Sequence, residues 1–225
     1  MATTLLSKET CTAHGPELRQ LLLAQIGHRT GNLPFQPTLE TDLREVRRRK
    51  VITIVEALFA EEEWAGVLRS LDRSVALLDA SNIEPLLLEV ASDQTACQVA
   101  NLYLRSRGFH TSGGESTGCS DHERCYLTSE YFWHNNPFAD FLVYDCARTI
   151  CDQALLSIAS ERRELFARAC EAYSRVLELA TRKAARLQLV EEMNSDGMFG
   201  PVAELVGEAV RARNGWKVLL RASVR

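Results

Sequence analysis

The chain has 225 residues, 46% hydrophobic and 25% charged, and its 26 Lys and Arg against 30 Asp and Glu give a formal charge of −4. These are globular values with ample material for a buried core, and they exclude disordered, collagen-like and mucin-like classes. The acidic balance argues against a protein that wraps nucleic acid through general electrostatics.

The first element is a helix over Glu17–His28, opened by Pro16, with Leu18, Leu21, Leu22 and Ile26 on one face. Gly27, Gly31, Asn32, Pro34 and Pro37 then break the chain. Leu39, Leu43, Val46, Ile54, Leu58 and Phe59 predict a long helix over Thr38–Glu61, which carries the basic run Arg47–Lys50. That run reads as a solvated helix face. An anion or nucleic-acid contact is the alternative, but no aromatic residues are interleaved with it. Helical spacing continues over Glu61–Asp79 through Trp64, Leu68, Leu71, Val75 and Leu78, and again over Ile83–Ala91 and Gln94–Ser106. Gly108 stands where a glycine ends a helix. Residues 1–107 are therefore expected to form a helical array without a fixed repeat period.

From residue 108 the character changes. His110–Ser120 is rich in Gly, Ser and Thr, and Arg124–Trp133 has the aromatic and β-branched content of one or two short strands. Asn136 and Pro137 are placed to open a helix over Phe138–Ile158, with Phe138, Leu142, Cys146, Ile150 and Leu155 along its core side. Helices over Ser160–Arg182, Ala184–Met193 and Val202–Val224 follow, the last with an apolar stripe and Trp216 beside Gly215. A glycine in mid-helix implies close packing or a kink. The expected fold is mainly α. A helical region over 1–107 is followed by loop, small β element and helices over 108–225, either as a second region or as one continuous domain.

Candidate chemistry lies in two places. His134–Ile150 reads HNNPFADFLVYDCARTI, Arg162–Arg175 reads RRELFARACEAYSR and Ala212–Lys217 reads ARNGWK. Across roughly residues 130–220 this resembles a family of uncharacterised bacterial zincin-like, metallopeptidase-like proteins. The resemblance implies a His-Glu-x-x-His motif on the first of these helices and a ligand Glu on the next. Two histidines one helical turn apart can share a zinc ion, and the intervening Glu activates the bound water. In this chain Tyr144 and Arg148 stand at the histidine positions, Asp145 at the Glu position, and Glu171 at the third-ligand position. Arginine has no lone pair for a metal and brings a permanent charge. The resemblance thus implies a degenerate motif without catalytic residues. On residue pattern alone Asp145 and Arg148 are an ordinary charged pair of an exposed helix face, and Arg148 reaches Asp152 one turn on. Glu164/Arg168, Glu171/Arg175 and Glu178/Arg182 likewise repeat as a solvated stripe, with Glu171 as one rung.

The second candidate is Cys119-x-x-His122-x-x-Cys125, whose residue types and gaps suit zinc, with a fourth ligand from His110 or His134. A single such cluster is a weak pattern, since the strong one repeats at a fixed distance.

The leading expectation is a catalytically inactive zincin-like protein without cofactor or metal, acting as a binding or regulatory partner of another protein. The alternatives are a hydrolase or zinc protein using Cys119, His122 and Cys125, and a helical scaffold unrelated to zincins. No nucleic-acid or membrane partner is expected: the longest apolar runs fall far below the roughly 20 residues of a span. Met1–Cys11 lacks a secretory pattern, so a cytoplasmic protein with seven cysteines, mostly reduced core filler, is expected.

Overall fold

The computed structural model describes residues 13–31, 42–111, 116–133, 136–195 and 199–224. In chain order they form α1 (Gly15–Thr30), α2 (Leu43–Leu58), α3 (Trp64–Ser70), β1 (Ser74–Leu77), α4 (Ile83–Glu89), α5 (Asp93–Ser106), β2 (Gly118–Ser120) and β3 (Arg124–Leu127). Then follow α6 (Glu130–Trp133), α7 (Phe141–Asp152), α8 (Arg163–Leu179), α9 (Lys183–Ser195), α10 (Gly200–Arg211) and α11 (Gly215–Val224). The protein is mainly helical with a small sheet, as expected. Among the described residues no helix is long and apolar enough to cross a membrane.

The chain forms two compact units that interleave along the sequence: 1–43 with 73–133, and 44–72 with 134–225. The expected division at residue 107 therefore falls inside the first unit. In that unit α1, α4 and α5 pack through Leu18, Leu22, Ile26, Ile83, Leu87, Val99 and Tyr103. Asp93, at the start of α5, accepts the Gly15 N–H at 3.0 Å and the Arg19 guanidinium at 2.8 Å. Arg19 also donates to the Val90 carbonyl at 2.6 Å. The Gly15 N–H and the Arg19 guanidinium together hold the Asp93 carboxyl below its ordinary range. Gly108, with φ +87°, ends the α5 region in the left-handed conformation expected of it.

The sheet corrects the expected helix over Glu61–Asp79. That segment is helical only as far as Ser70; Ser74–Leu77 then runs parallel to β3, Val75 beside Cys125 and Leu77 beside Leu127. Val75 and Leu78 fit a helical repeat, but a four-residue strand is decided by its partner, which lies about 50 positions away. β2 adds antiparallel on the other side of β3, giving the order β1-β3-β2. Arg124–Trp133 therefore holds one strand and the short helix α6.

In the second unit α8 is central. Phe166, Ala169, Cys170, Tyr173 and Val176 of α8 share a core with Val143, Cys146, Ala147 and Ile150 of α7. Val206, Ala209 and Val210 of α10, Trp216 and Leu219 of α11, and Val51, Ile54 and Val55 of α2 complete it. The start of the expected helix at Thr38 lies outside the described residues. Helix α7 is shorter than expected. Asp140, not Asn136, caps it, its carboxylate accepting the Val143 N–H at 3.3 Å. Asn136 instead closes the preceding turn on the Phe138 N–H at 3.0 Å. The expected single helix Val202–Val224 is two, broken at 212–214. Gly215 opens the second, and a Cβ there would collide with the Tyr173 ring and sit 2.6 Å from the Ala209 carbonyl oxygen. The glycine lets Trp216 pack edge-on against Tyr173, centroids 5.1 Å apart.

Leu142 on α7 has no exposed surface. Leu142→Ala is expected to lower the unfolding free energy by roughly 2–5 kcal/mol, read by denaturant titration. A smaller loss would show that the site collapses around the truncated side chain, and an unchanged midpoint would contradict the burial of Leu142.

Candidate functional site

The second unit carries charged side chains where α2, α7 and α8 meet, and they include all four positions singled out by the zincin resemblance. Asp145 faces inward from α7 and binds Arg47 of α2, Nη1 to Oδ2 at 2.9 Å. The Asp145 side chain is 2% exposed and that of Arg47 3%. Arg47 also donates to the Leu71 carbonyl at 3.3 Å. Both readings made from sequence are thereby corrected. Asp145 is no half of a surface pair with Arg148, and Arg47 is no part of a solvated face. Arg47, Val51, Ile54 and Leu58 recur at helical spacing, so α2 turns Arg47 to the same side as its apolar residues, while Arg48 and Arg49 stay exposed.

One turn along α2, Lys50 binds Asp140 at 2.6 Å and also meets Glu178 of α8. Glu178 takes a second cation, Arg175, at 2.6 Å, and Arg175 donates to the Pro137 carbonyl at 3.0 Å. Burial disfavours the Glu178 anion, but Lys50 and Arg175 outweigh it and hold its carboxyl below the ordinary value.

Glu171 is buried, not a solvated rung. Its carboxylate accepts the Asp140 N–H at 2.9 Å and the Arg168 guanidinium at 3.0 Å. Burial pushes its carboxyl above the ordinary range, against the pull of Arg168. The expected Glu171/Arg175 and Glu178/Arg182 pairs give way to Arg168–Glu171 and Arg175–Glu178 at three-residue spacing, because Lys50 and the Asp140 backbone draw the two glutamates toward α2 and α7. Only Glu164–Arg168, at 3.1 Å, keeps the expected spacing.

Arg168 is the junction of the set. Besides Glu164 and Glu171 it lies over the Tyr144 ring, 4.4 Å from the centroid. Tyr144 donates its hydroxyl to Glu164 at 2.8 Å. Burial and the Glu164 anion raise its phenol to about 12. Arg148 leans on Glu164 and Asp152, each at 3.6 Å. The permanent cation of Arg168 thus touches both Tyr144 and Glu171, two of the three places where the resemblance would put metal ligands.

The loop candidate is not drawn together. In the β2–β3 register Cys119 lies beside Tyr126 and Ser120 beside Cys125. Alternation along the strands then sends the Cys119 and Cys125 side chains to opposite faces of the sheet. Cys125 is fully buried, while His122 sits exposed in the turn between the strands and His110 is exposed elsewhere. His134 lies outside the described residues. Among the described residues no three His, Cys, Asp or Glu side chains are grouped to hold a metal ion.

Sequence reasoning missed the pairing of Arg47 with Asp145 and the separate chain of contacts through Lys50, Asp140, Arg168, Arg175 and Glu178. Only Arg47 and Lys50 carried a local signal, their place on the apolar side of α2. No protein-family model, curated protein or solved structure matches the chain.

The Glu178 contacts set an acid dependence. A carboxyl with a lowered folded-state value stabilises the fold above its unfolded value, and that stabilisation is lost as pH falls through the folded one. The melting-temperature gap between wild type and Glu178→Gln is expected to be constant at neutral pH and to close as pH drops below the ordinary 4.5. A gap independent of pH would show that Glu178 acts through packing alone.

Proposed function

We propose that this chain is a catalytically inactive zincin-like protein that works by binding another protein. The observation that supports this reading is the Arg47–Asp145 ion pair. A general base must be able to exchange a proton with a water at the reacting centre, within hydrogen-bond reach. Asp145 is instead buried against a guanidinium that does not deprotonate. The neighbouring positions point the same way. Arg168 lies against Tyr144 and Glu171, and like charges oppose a dication there. Tyr144 is committed to Glu164 as a hydrogen-bond donor, with its phenolate disfavoured.

In this reading the substitutions at 144, 145 and 148 are matched by partners that use them. A substituted motif without partners would leave a buried carboxylate uncompensated, at a cost of several kcal/mol. The hydrolase alternative through Cys119, His122 and Cys125 loses support from the opposite facing of its two thiols.

Elemental analysis of the purified chain after dialysis tests the reading. Substoichiometric zinc is expected. About one zinc per chain, lost on Glu171→Gln, would overturn it. Zinc lost instead on Cys119→Ser would support the loop alternative.

A further inference from the structure

Residues 179–190 and 209–225 hold eight of the chain's 26 cations and none of its 30 acids, which leaves 18 cations against 30 acids over the rest. The second unit folds these two segments together. Lys183, at the start of α9, donates to the Arg211 carbonyl at 2.7 Å, so α9 begins where α10 ends. Arg186 follows within a turn and donates to the Ala180 carbonyl at 2.8 Å, which turns its guanidinium back toward that start. Arg213 lies in the short link between α10 and α11, two residues past Arg211. Lys217 is in the first turn of α11, its N–H accepted by the Asn214 side chain at 3.2 Å, and Arg221 lies one turn further on. Arg182, Lys183, Arg213, Lys217 and Arg221 are exposed and Arg186 is half-buried. Among the described residues none of the six makes an ion pair within 4.0 Å. Glu178, near the end of α8, is taken by Lys50 and Arg175, and Glu208 of α10 lines the recess between α9 and α10 with Arg211.

This basic corner works against its own helices. A cation opposes the positive end of a helix dipole, and neither α9 nor α11 has an acid in its first turn to offset it. Arg182 stands at the start of α9 and Lys217 in the first turn of α11, so cations and two helix N-termini add their fields in one place. The free chain carries this repulsion uncompensated, and carboxylates laid across the corner relieve it. We infer that the corner formed by the starts of α9 and α11 binds a short acidic segment of a partner protein. The inference rests on the reading that this chain works by binding another protein, and it names the chemistry of that partner. Charge complementarity selects an anion. The surroundings select a short one, because acids outnumber cations over the rest of the chain and a long polyanion that runs past the corner meets like charge. A nucleic acid is disfavoured for a second reason. Trp216 of α11 is buried edge-on against Tyr173 and offers no base a stacking surface.

Fluorescence anisotropy of a labelled glutamate-rich peptide, titrated with the full chain, tests it. At about 0.01 M salt, where the Debye length is about 30 Å, the wild type should bind the peptide, and at about 1 M, where the length is about 3 Å, it should release it. The variants are compared at about 0.15 M salt, where the length is about 8 Å. Arg182→Glu with Lys217→Glu should weaken binding by about tenfold or more. The same double variant should melt higher than the wild type, because an acid then stands at the start of each helix. A purely structural role for the two cations predicts a lower melting temperature instead. Arg48→Glu with Arg49→Glu makes the same change of net charge on the exposed side of α2 and should leave binding within about twofold of wild type. Zinc content does not enter the measurement, so this inference and the zinc test fail separately. A wild type that ignores the peptide at low salt would overturn the inference. So would a double variant at 182 and 217 that binds as the wild type does, or a single-stranded oligonucleotide or phosphatidylserine vesicle that binds more tightly than the peptide.

Discussion

The second unit is organised around one buried ion pair. Arg47 and Asp145 are each almost wholly out of water, and neither tolerates that environment alone, because an ionised group transferred to a protein interior without its counter-charge costs several kcal/mol. Their pairing fixes α2 against α7. With α2 so placed, Lys50 one turn later meets Asp140 and Glu178. Asp140 in turn caps α7 with its carboxylate and gives its backbone N–H to Glu171. Glu171 holds Arg168, which stacks on Tyr144. The apolar core of Val51, Ile54, Val143, Cys146, Phe166 and Val176 supplies most of the driving force. The ionic chain decides which way the helices face, since hydrophobic contact alone is not directional.

Much of the fold was legible because apolar residues recur at helical spacing between clear chain breaks. α1, α5, α8 and α9 lie close to where periodicity put them, and Gly108 ends α5 as expected. The failures share a cause. Ser74–Leu77 reads as helix because nothing local reveals Arg124–Leu127 as its partner. Asp140 lost the cap to Asn136 in the sequence reading because both are good capping residues, and only the turn at Pro137 chooses between them. Val202–Val224 reads as one helix because its apolar stripe continues across the break; the packing of Gly215 on Tyr173 gives the reason for the break.

The site was half legible. The resemblance drew attention to Tyr144, Asp145, Arg148 and Glu171, and the structure finds all four in one charged neighbourhood. Their roles could not be read, because an acid and a base four apart on a helix look the same whether they pair with each other or with a distant element. Glu171 and Arg175 illustrate this, since each bonds elsewhere.

We propose that Asp145 serves Arg47 and not a reaction, and a double-mutant cycle measures the pairing on which that proposal stands. Arg47→Met or Asp145→Leu alone leaves a buried charge unpaired and should cost about 3–5 kcal/mol of unfolding free energy. The double variant replaces both with apolar groups and should recover most of that loss, with a favourable coupling of several kcal/mol. Single variants that cost little, or a double variant whose loss equals the sum of the two, would contradict the account and leave Asp145 available for another role.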